Sequence, residues 1–245
     1  MELRRIFDED ALLYDRARPG YPAELFTRIP VGSRVLEIGC GTGQATRGLL
    51  ARGCRVTAVE LGPSLAALAR ERMPSVEVVN ADFETWLPAE PYDVVFAATA
   101  FHWLDPATRV AKARAALRPG GMLATVATHH VAGGTEAFFA EVQECYERFD
   151  PATPPDLRLS PASAIPHDGE PMPGFAAPAF ERWEWELTYT TETYLDLLST
   201  YSNHRALPAR ADLLACIGSL ITTRYGGQVV KRYLTELRTA TAKDG

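Results

Sequence analysis

The chain has 245 residues, 47% of them hydrophobic, enough to bury a substantial α/β core. Its net charge of −6 argues against a general phosphate-binding surface, and so against DNA or bulk RNA as a partner. The four cysteines, Cys40, Cys54, Cys145 and Cys216, show no Cys-x-x-Cys spacing, suggesting neither a zinc site nor a disulfide framework, and with a charged N-terminus and no long apolar run the expectation is a soluble, cytoplasmic protein without leader or membrane span.

In chain order, residues 35 to 44 begin as an apolar strand and end in alternating glycines. Gln44 to Arg52 reads as a helix with Gly53 just beyond its C-terminus, and Cys54 to Glu60 as the second strand. Pro63 suits a first helical position, and Pro74 prevents the helix from continuing. Ser75 to Asn80 is the third strand; Tyr92 to Thr99 is nearly continuous in apolar residues, as a central parallel strand covered on both faces should be. Asp105-Pro106 opens a helix that stops before Pro119-Gly-Gly, and Met122 to Thr128 is the fifth strand. Strands alternating with helices predict a doubly wound sheet with ligands at the C-terminal strand ends.

The second half departs from this rhythm. A helix is expected over Glu136 to Phe149, then a proline-rich stretch from Asp150 to Pro178, read either as a loop over the substrate side or as a surface insertion. Phe180 to Thr190 reads as a strand, followed by helices around Tyr194 to Tyr201 and Ala209 to Thr223, and Gln228 to Thr239 as a last strand.

The glycine turn decides between two kinds of nucleotide fold. A dinucleotide fingerprint needs a small residue at the sixth position, but counting from Gly39 it is Gln44, and from Gly41 it is Thr46. The pattern is instead Glu-x-Gly-x-Gly-x-Gly, with an acid, Glu60, nineteen residues after Gly41. Val35 to Gln44 closely resembles the first motif of class I S-adenosylmethionine (SAM)-dependent methyltransferases. Phe101-His-Trp-x-Asp105 resembles a small-molecule subgroup that includes the trans-aconitate methyltransferases, and Tyr14 to Pro22 resembles the segment covering the cofactor there. The resemblance is close over residues 10 to 130 and loose thereafter.

The resemblance implies a doubly wound, Rossmann-like α/β fold: seven strands, mostly parallel with a C-terminal antiparallel strand, helices on both faces. It implies one domain over 1–245, with a SAM core near 30–130 and a substrate side near 131–245. For the cofactor and its product S-adenosylhomocysteine (SAH), it implies contacts from Tyr14, Arg18, Glu37, Gly39, Cys40, Gly41, Thr42, Gly43 and Gln44 at the methionine end. Glu60 and Leu61 would meet the ribose, Asp82 and Phe83 the adenine, and Ala98, Phe101, His102 and Trp103 the sulfonium side. A carboxylate suits two vicinal hydroxyls because it only accepts, and Arg18 suits a carboxylate because its fork is bidentate. His102 and His204 are candidate general bases. The polar cluster Tyr201, His204 and Arg205 is the substrate-side candidate. His129-His130 is a poor metal pair, since neighbours on a strand point to opposite faces. The expected partner is a small-molecule methyl acceptor, a carboxylate or hydroxyl, with no nucleic acid or membrane, and the protein a monomer or homodimer. The alternatives are a SAM-binding protein without catalysis and a nicotinamide-dependent oxidoreductase.

Overall fold

A computed structural model describes residue 8 and residues 10–243, so the N-terminal segment read above for a leader lies outside the described residues. Two short helices, α1 (Ala11–Ala17) and α2 (Ala23–Phe26), precede β1 (Arg34–Ile38). Asp10 starts α1 by accepting the Leu13 N–H at 2.9 Å, satisfying one of the donors that a first helical turn leaves open. There follow α3 (Thr46–Ala51), β2 (Arg55–Glu60), α4 (Pro63–Arg72), β3 (Glu77–Asn80), β4 (Tyr92–Ala98), α5 (Arg109–Ala115) and β5 (Leu117–His130). Pro63 does occupy the first turn of α4. By contrast α5 begins past Asp105-Pro106, because the Asp105 carboxylate accepts the Ala107 N–H at 2.9 Å and holds residues 105–108 in a turn.

The second half supplies α6 (Glu136–Glu141), α7 (Gln143–Phe149), β6 (Ala179–Thr190), α8 (Thr191–Ser199), α9 (Ser202–Arg205), α10 (Arg210–Arg224) and β7 (Gln228–Thr241). The expected helix over 136–149 is split in two at Val142. Thr190 and Thr193 cap α8 reciprocally, which is why the chain turns from β6 into helix without a loop.

All seven strands form one sheet in the order β3-β2-β1-β4-β5-β7-β6. β1 to β5 are mutually parallel, and β7 runs antiparallel to both β5 and β6, as expected for a single reversed C-terminal strand. Strand order reverses between β1 and β4, and a crevice opens there beyond their carboxyl ends. One face of the sheet is covered by α2, α3 and α4, with Phe96 fully buried against Phe26. The other carries α5, Tyr92, Val95 and Leu123. A third apolar cluster joins α6, α7, α8 and α10 to β6 and β7 and forms a cap at the end of the sheet where the crevice opens.

Two expectations need correcting. The 150–178 stretch does not cover the substrate side: none of its residues lines either cavity described below. It is pinned to the sheet and α5 instead. His167 and Arg182 each reach the buried Glu236 carboxylate at 2.5 Å, Arg238 reaches Asp168 at 3.0 Å, and Arg109 reaches Glu170 at 2.8 Å. Nor are all the cysteines free, since Cys145 and Cys216 form a disulfide. Their separation of 71 residues hid this, but α7 and α10 pack side by side and bring the Cα atoms to 5.9 Å. Among the described residues, no helix is long and apolar enough to cross a membrane.

Closing a loop of that length restrains the unfolded chain, so Cys145→Ser or Cys216→Ser should lower stability by about 2–4 kcal/mol. Urea denaturation with and without dithiothreitol checks this: the reductant should destabilise the wild type and leave either variant unmoved.

Candidate active site

The turn after β1 exists because two glycines accept left-handed backbone. Gly39 has φ +66° and Gly41 φ +58°, and a Cβ on Gly39 would sit 2.7 Å from that of Ala100, one on Gly41 3.2 Å from the Tyr14 ring. The turn is held from below by β2. Gly39 donates its N–H to the Val59 carbonyl at 2.8 Å, while the buried Glu60 carboxylate accepts from Gly41 N–H (2.9 Å) and Gly62 N–H (2.8 Å). Burial raises the Glu60 pKa and these two N–H donors oppose the rise. One acceptor position on each oxygen is thereby used, which fixes the carboxylate and leaves two more for a ligand. Asn80 Nδ2 bonds the Glu60 and Leu61 carbonyls, tying the ends of β2 and β3 together, and the Asp82 carboxylate accepts the Glu84 N–H at 3.0 Å in the next turn.

A cavity of about 460 Å³ opens over these strand ends. Tyr14, Arg18, Gly39, Gly41, Glu60, Leu61, Asp82, Phe83, Ala98, His102, Trp103 and Tyr201 all line it. A second cavity of about 240 Å³ shares Tyr14, Arg18, Gly39, Ala98 and Tyr201 with the first and adds Glu37, Cys40 and Gln44. The remaining expected residues are not brought to either. Thr42 and Phe101 are buried, Phe101 under the Arg109 guanidinium, and Gly43 packs against the end of the Met73 side chain. His204 is buried against Tyr146, whose hydroxyl lies 2.9 Å from Nε2, and Arg205 donates to the Ser199 carbonyl at 3.0 Å. His204 turns inward onto α7 of the cap, while Tyr201, Ser202 and Asn203 line the first cavity.

Burial sets the charges. It lifts the Glu37 carboxyl to about 7, and Glu37 Oε2 has no hydrogen-bond partner among the described residues. Burial, and then the charge of Arg109, lowers His102; His204 is pushed down to about 4, chiefly by burial. Arg18 Nη2 donates to the Thr200 carbonyl at 3.0 Å, and its guanidinium lies over the Tyr14 and Tyr201 rings at 5.1 and 4.8 Å. That contact joins the segment after α1 to the end of α8 across the cavities.

Sequence reading missed Thr99, Tyr21, Thr128, His130 and Lys231, which line one or both cavities. Thr99 has φ +50°, a strained state for a β-branched residue, held by a 3.0 Å hydrogen bond between its hydroxyl and that of Tyr21. A threonine closing an apolar strand carries no warning of that strain. His129 lines the first cavity and His130 the second, the two faces that strand alternation predicts.

Residues 35–121 match a family model described as a methyltransferase domain. An uncharacterised methyltransferase of Mycobacterium tuberculosis is 38% identical over 116 residues, 46% of this chain and 48% of that protein. A trans-aconitate 2-methyltransferase of Azoarcus is 35% identical over 122 residues, 48% of each. The match thus spans about half the length of these curated relatives. Over nearly its full length the fold is similar to a solved structure from Anaeromyxobacter dehalogenans provisionally assigned as a type II methyltransferase (TM-score 0.62, 26% identity, 93% of this chain and 99% of that one). A Haemonchus contortus phosphoethanolamine methyltransferase solved with SAH shares the fold alone (TM-score 0.53, 18% identity, 100% of this chain and 61% of that one).

The fold is similar to that of solved methyltransferases, and the cavity fits SAM on its own evidence. The glycine turn and the strand ends beside it present a backbone cradle that any Cβ would fill, a buried carboxylate oxygen without a partner, and an acceptor carboxylate fixed at the end of β2. Gly41→Val should abolish SAH binding measured by isothermal titration calorimetry, because it puts a branched side chain against Tyr14 at a positive φ.

Glu37 predicts a pH dependence. Folded, it keeps its proton to about pH 7; unfolded, it loses it near 4.5, so its burial begins to subtract stability only as pH rises above 4.5. Ligand-free Glu37→Gln should match the wild type near pH 4 and exceed it by up to roughly 3 kcal/mol above pH 7 in urea denaturation.

Proposed function

We propose that this chain is a SAM-dependent methyltransferase acting on a small-molecule acceptor, a carboxylate or hydroxyl compound. One observation carries the reading: the Gly39–Gly41 turn, Glu60 and Asp82 converge on one cavity that Trp103, His129 and Tyr201 also line. In this reading Glu60 accepts from the ribose, Asp82 receives the adenine beside Phe83, Arg18 holds the methionine carboxylate and Glu37 its ammonium. Bound there, SAM supplies a methyl group already activated by its positive sulfur.

The residues then have to position the acceptor and keep water out, which can contribute on the order of 7 to 11 kcal/mol. Tyr14, Tyr201 and Trp103 supply aromatic walls that exclude water and attract a cation by roughly 0.5 to 2 kcal/mol each. A carboxylate acceptor is ionised at neutral pH and needs no base. A hydroxyl acceptor would need one, and of the two histidine candidates His102 alone faces the cavity, held neutral by its lowered pKa. The Tyr146 contact keeps His204 out of that role.

We further propose a single domain, monomeric or homodimeric, working on metabolites rather than nucleic acid, as its net charge of −6 suggests. The proposed compartment is the cytoplasm.

SAH at a hundredfold over its dissociation constant should stabilise the protein by about 2.7 kcal/mol in a thermal melt. NAD should not, and a response to NAD alone would overturn the proposal. Turnover of labelled SAM then identifies the acceptor type: with a carboxylate acceptor, His102→Ala should keep kcat within about threefold of the wild type, whereas a hydroxyl acceptor should lose about 10²-fold or more.

A further inference from the structure

Lys231 is 3% exposed, yet it lines the second cavity. Its Nζ donates to the Tyr201 hydroxyl at 3.0 Å and lies 5.3 and 5.1 Å from the centres of the Tyr201 and Tyr233 rings. Among the described residues it makes no ion pair, although twelve arginines do. A buried ammonium without an acid is costly, and two phenol rings and one hydroxyl offset only part of that cost. Beside it on the same cavity wall, His130 Nε2 is buried without a hydrogen-bond partner. Burial and then the Lys231 charge push His130 down to about 2, so it is neutral.

The charges around the cavity do not balance without a further anion. Of the ionisable groups lining it, Arg18 and Lys231 are cationic and Glu37 is the acid. The methionine end of the proposed cofactor is a zwitterion: its carboxylate answers Arg18 and its ammonium answers Glu37. Lys231 is left over. It also stands apart in the fold, near the start of β7 and beyond the end of β5, whereas the glycine turn lies at the end of β1, with β4 and β5 between the two. We infer that Lys231 is a specificity-determining residue that binds a carboxylate of the methyl acceptor, with His130 Nε2 and the Tyr201 hydroxyl as neutral partners. A single lysine among neutral groups matches one negative charge. A phosphoryl dianion would call for a second cation, and Arg18 is already engaged. This inference rests on the SAM reading and adds the chemical class of the acceptor to it.

Titration calorimetry of the wild type, Lys231→Met and Lys231→Arg tests it, first with SAH, then with SAH-saturated protein against benzoate and succinate, their neutral amides, and phenyl phosphate. The wild type should bind at least one carboxylate tenfold or more tighter than its amide. Lys231→Met should erase that preference and leave SAH affinity within twofold, and Lys231→Arg should restore most of it. Ligand-free Lys231→Met should also melt above the wild type, since a buried charge without an acid has been removed; a lower melting temperature would instead assign Lys231 a structural role and overturn the inference. So would a carboxylate preference that survives in Lys231→Met, a parallel loss of SAH affinity, tighter binding of phenyl phosphate, or SAH binding with no carboxylate binding at all. Failure of the wild type to bind SAH is a different result, which removes the cofactor reading and this inference with it.

Discussion

Everything at the crevice hangs on the Glu60 carboxylate. It is buried, and its two oxygens take the backbone N–H of Gly41 on one turn and of Gly62 on the next. Neither turn is regular structure, so neither can satisfy those N–H groups through a ladder or a helix. One side chain does it for both, and in doing so locks the end of β1 to the end of β2. The strand pairing beneath sets how far apart the two turns lie; the carboxylate sets which way they face. A buried acid also has to be repaid by donors, and here the donors are the backbone of the very turn that a ligand would touch. Structure and recognition draw on the same group.

A second constraint comes from parts of the chain that are far apart in sequence. Arg18 follows α1, yet it bonds the Thr200 carbonyl at the end of α8, and Arg16 pairs with Asp196 at 3.0 Å. Tyr201 then receives Lys231 from β7. The roof over the cavities is therefore a seam between the two ends of the chain, while the floor is the regular sheet. Polar contacts along such a seam are individually weak and partly exposed. The floor is rigid by comparison, being covered on both faces by apolar clusters.

The sheet and the glycine turn were legible because local pattern and global role agree there. β4 reads as an apolar run because it is central, and Gly39 and Gly41 stand out because φ and clearance both demand them. The alternation of strand and helix announced the doubly wound sheet, and the late run from Gln228 to Thr239 announced a last strand, whose reversal only the family resemblance implied. The cap was much less legible. Tyr201 to Arg205 looked like one polar cluster, but Tyr201 precedes α9 and lines the cavities, whereas His204 packs on Tyr146 and Arg205 reaches back to the Ser199 carbonyl. Lys231 escaped notice because a lysine on a strand ordinarily faces solvent, and only tertiary packing shows that this one does not. Cys145–Cys216 and the anchoring of 150–178 on Glu236 and Arg238 failed for the same reason: both depend on partners dozens of residues away.

The seam between Arg18 and Thr200 bears on the order in which the protein becomes competent. A ribosome releases β1, the glycine turn and Glu60 early, and the first five strands can already lay down the floor. Tyr201 and Lys231 emerge well after them, and β7 must then slot between β5 and β6. Until it does, the sheet lacks a strand in its interior and the cavity lacks two of its walls. A truncated or half-made chain would thus hold the recognisable motif without holding a closed site, and the half of the sequence that advertises the family is not the half that completes the pocket.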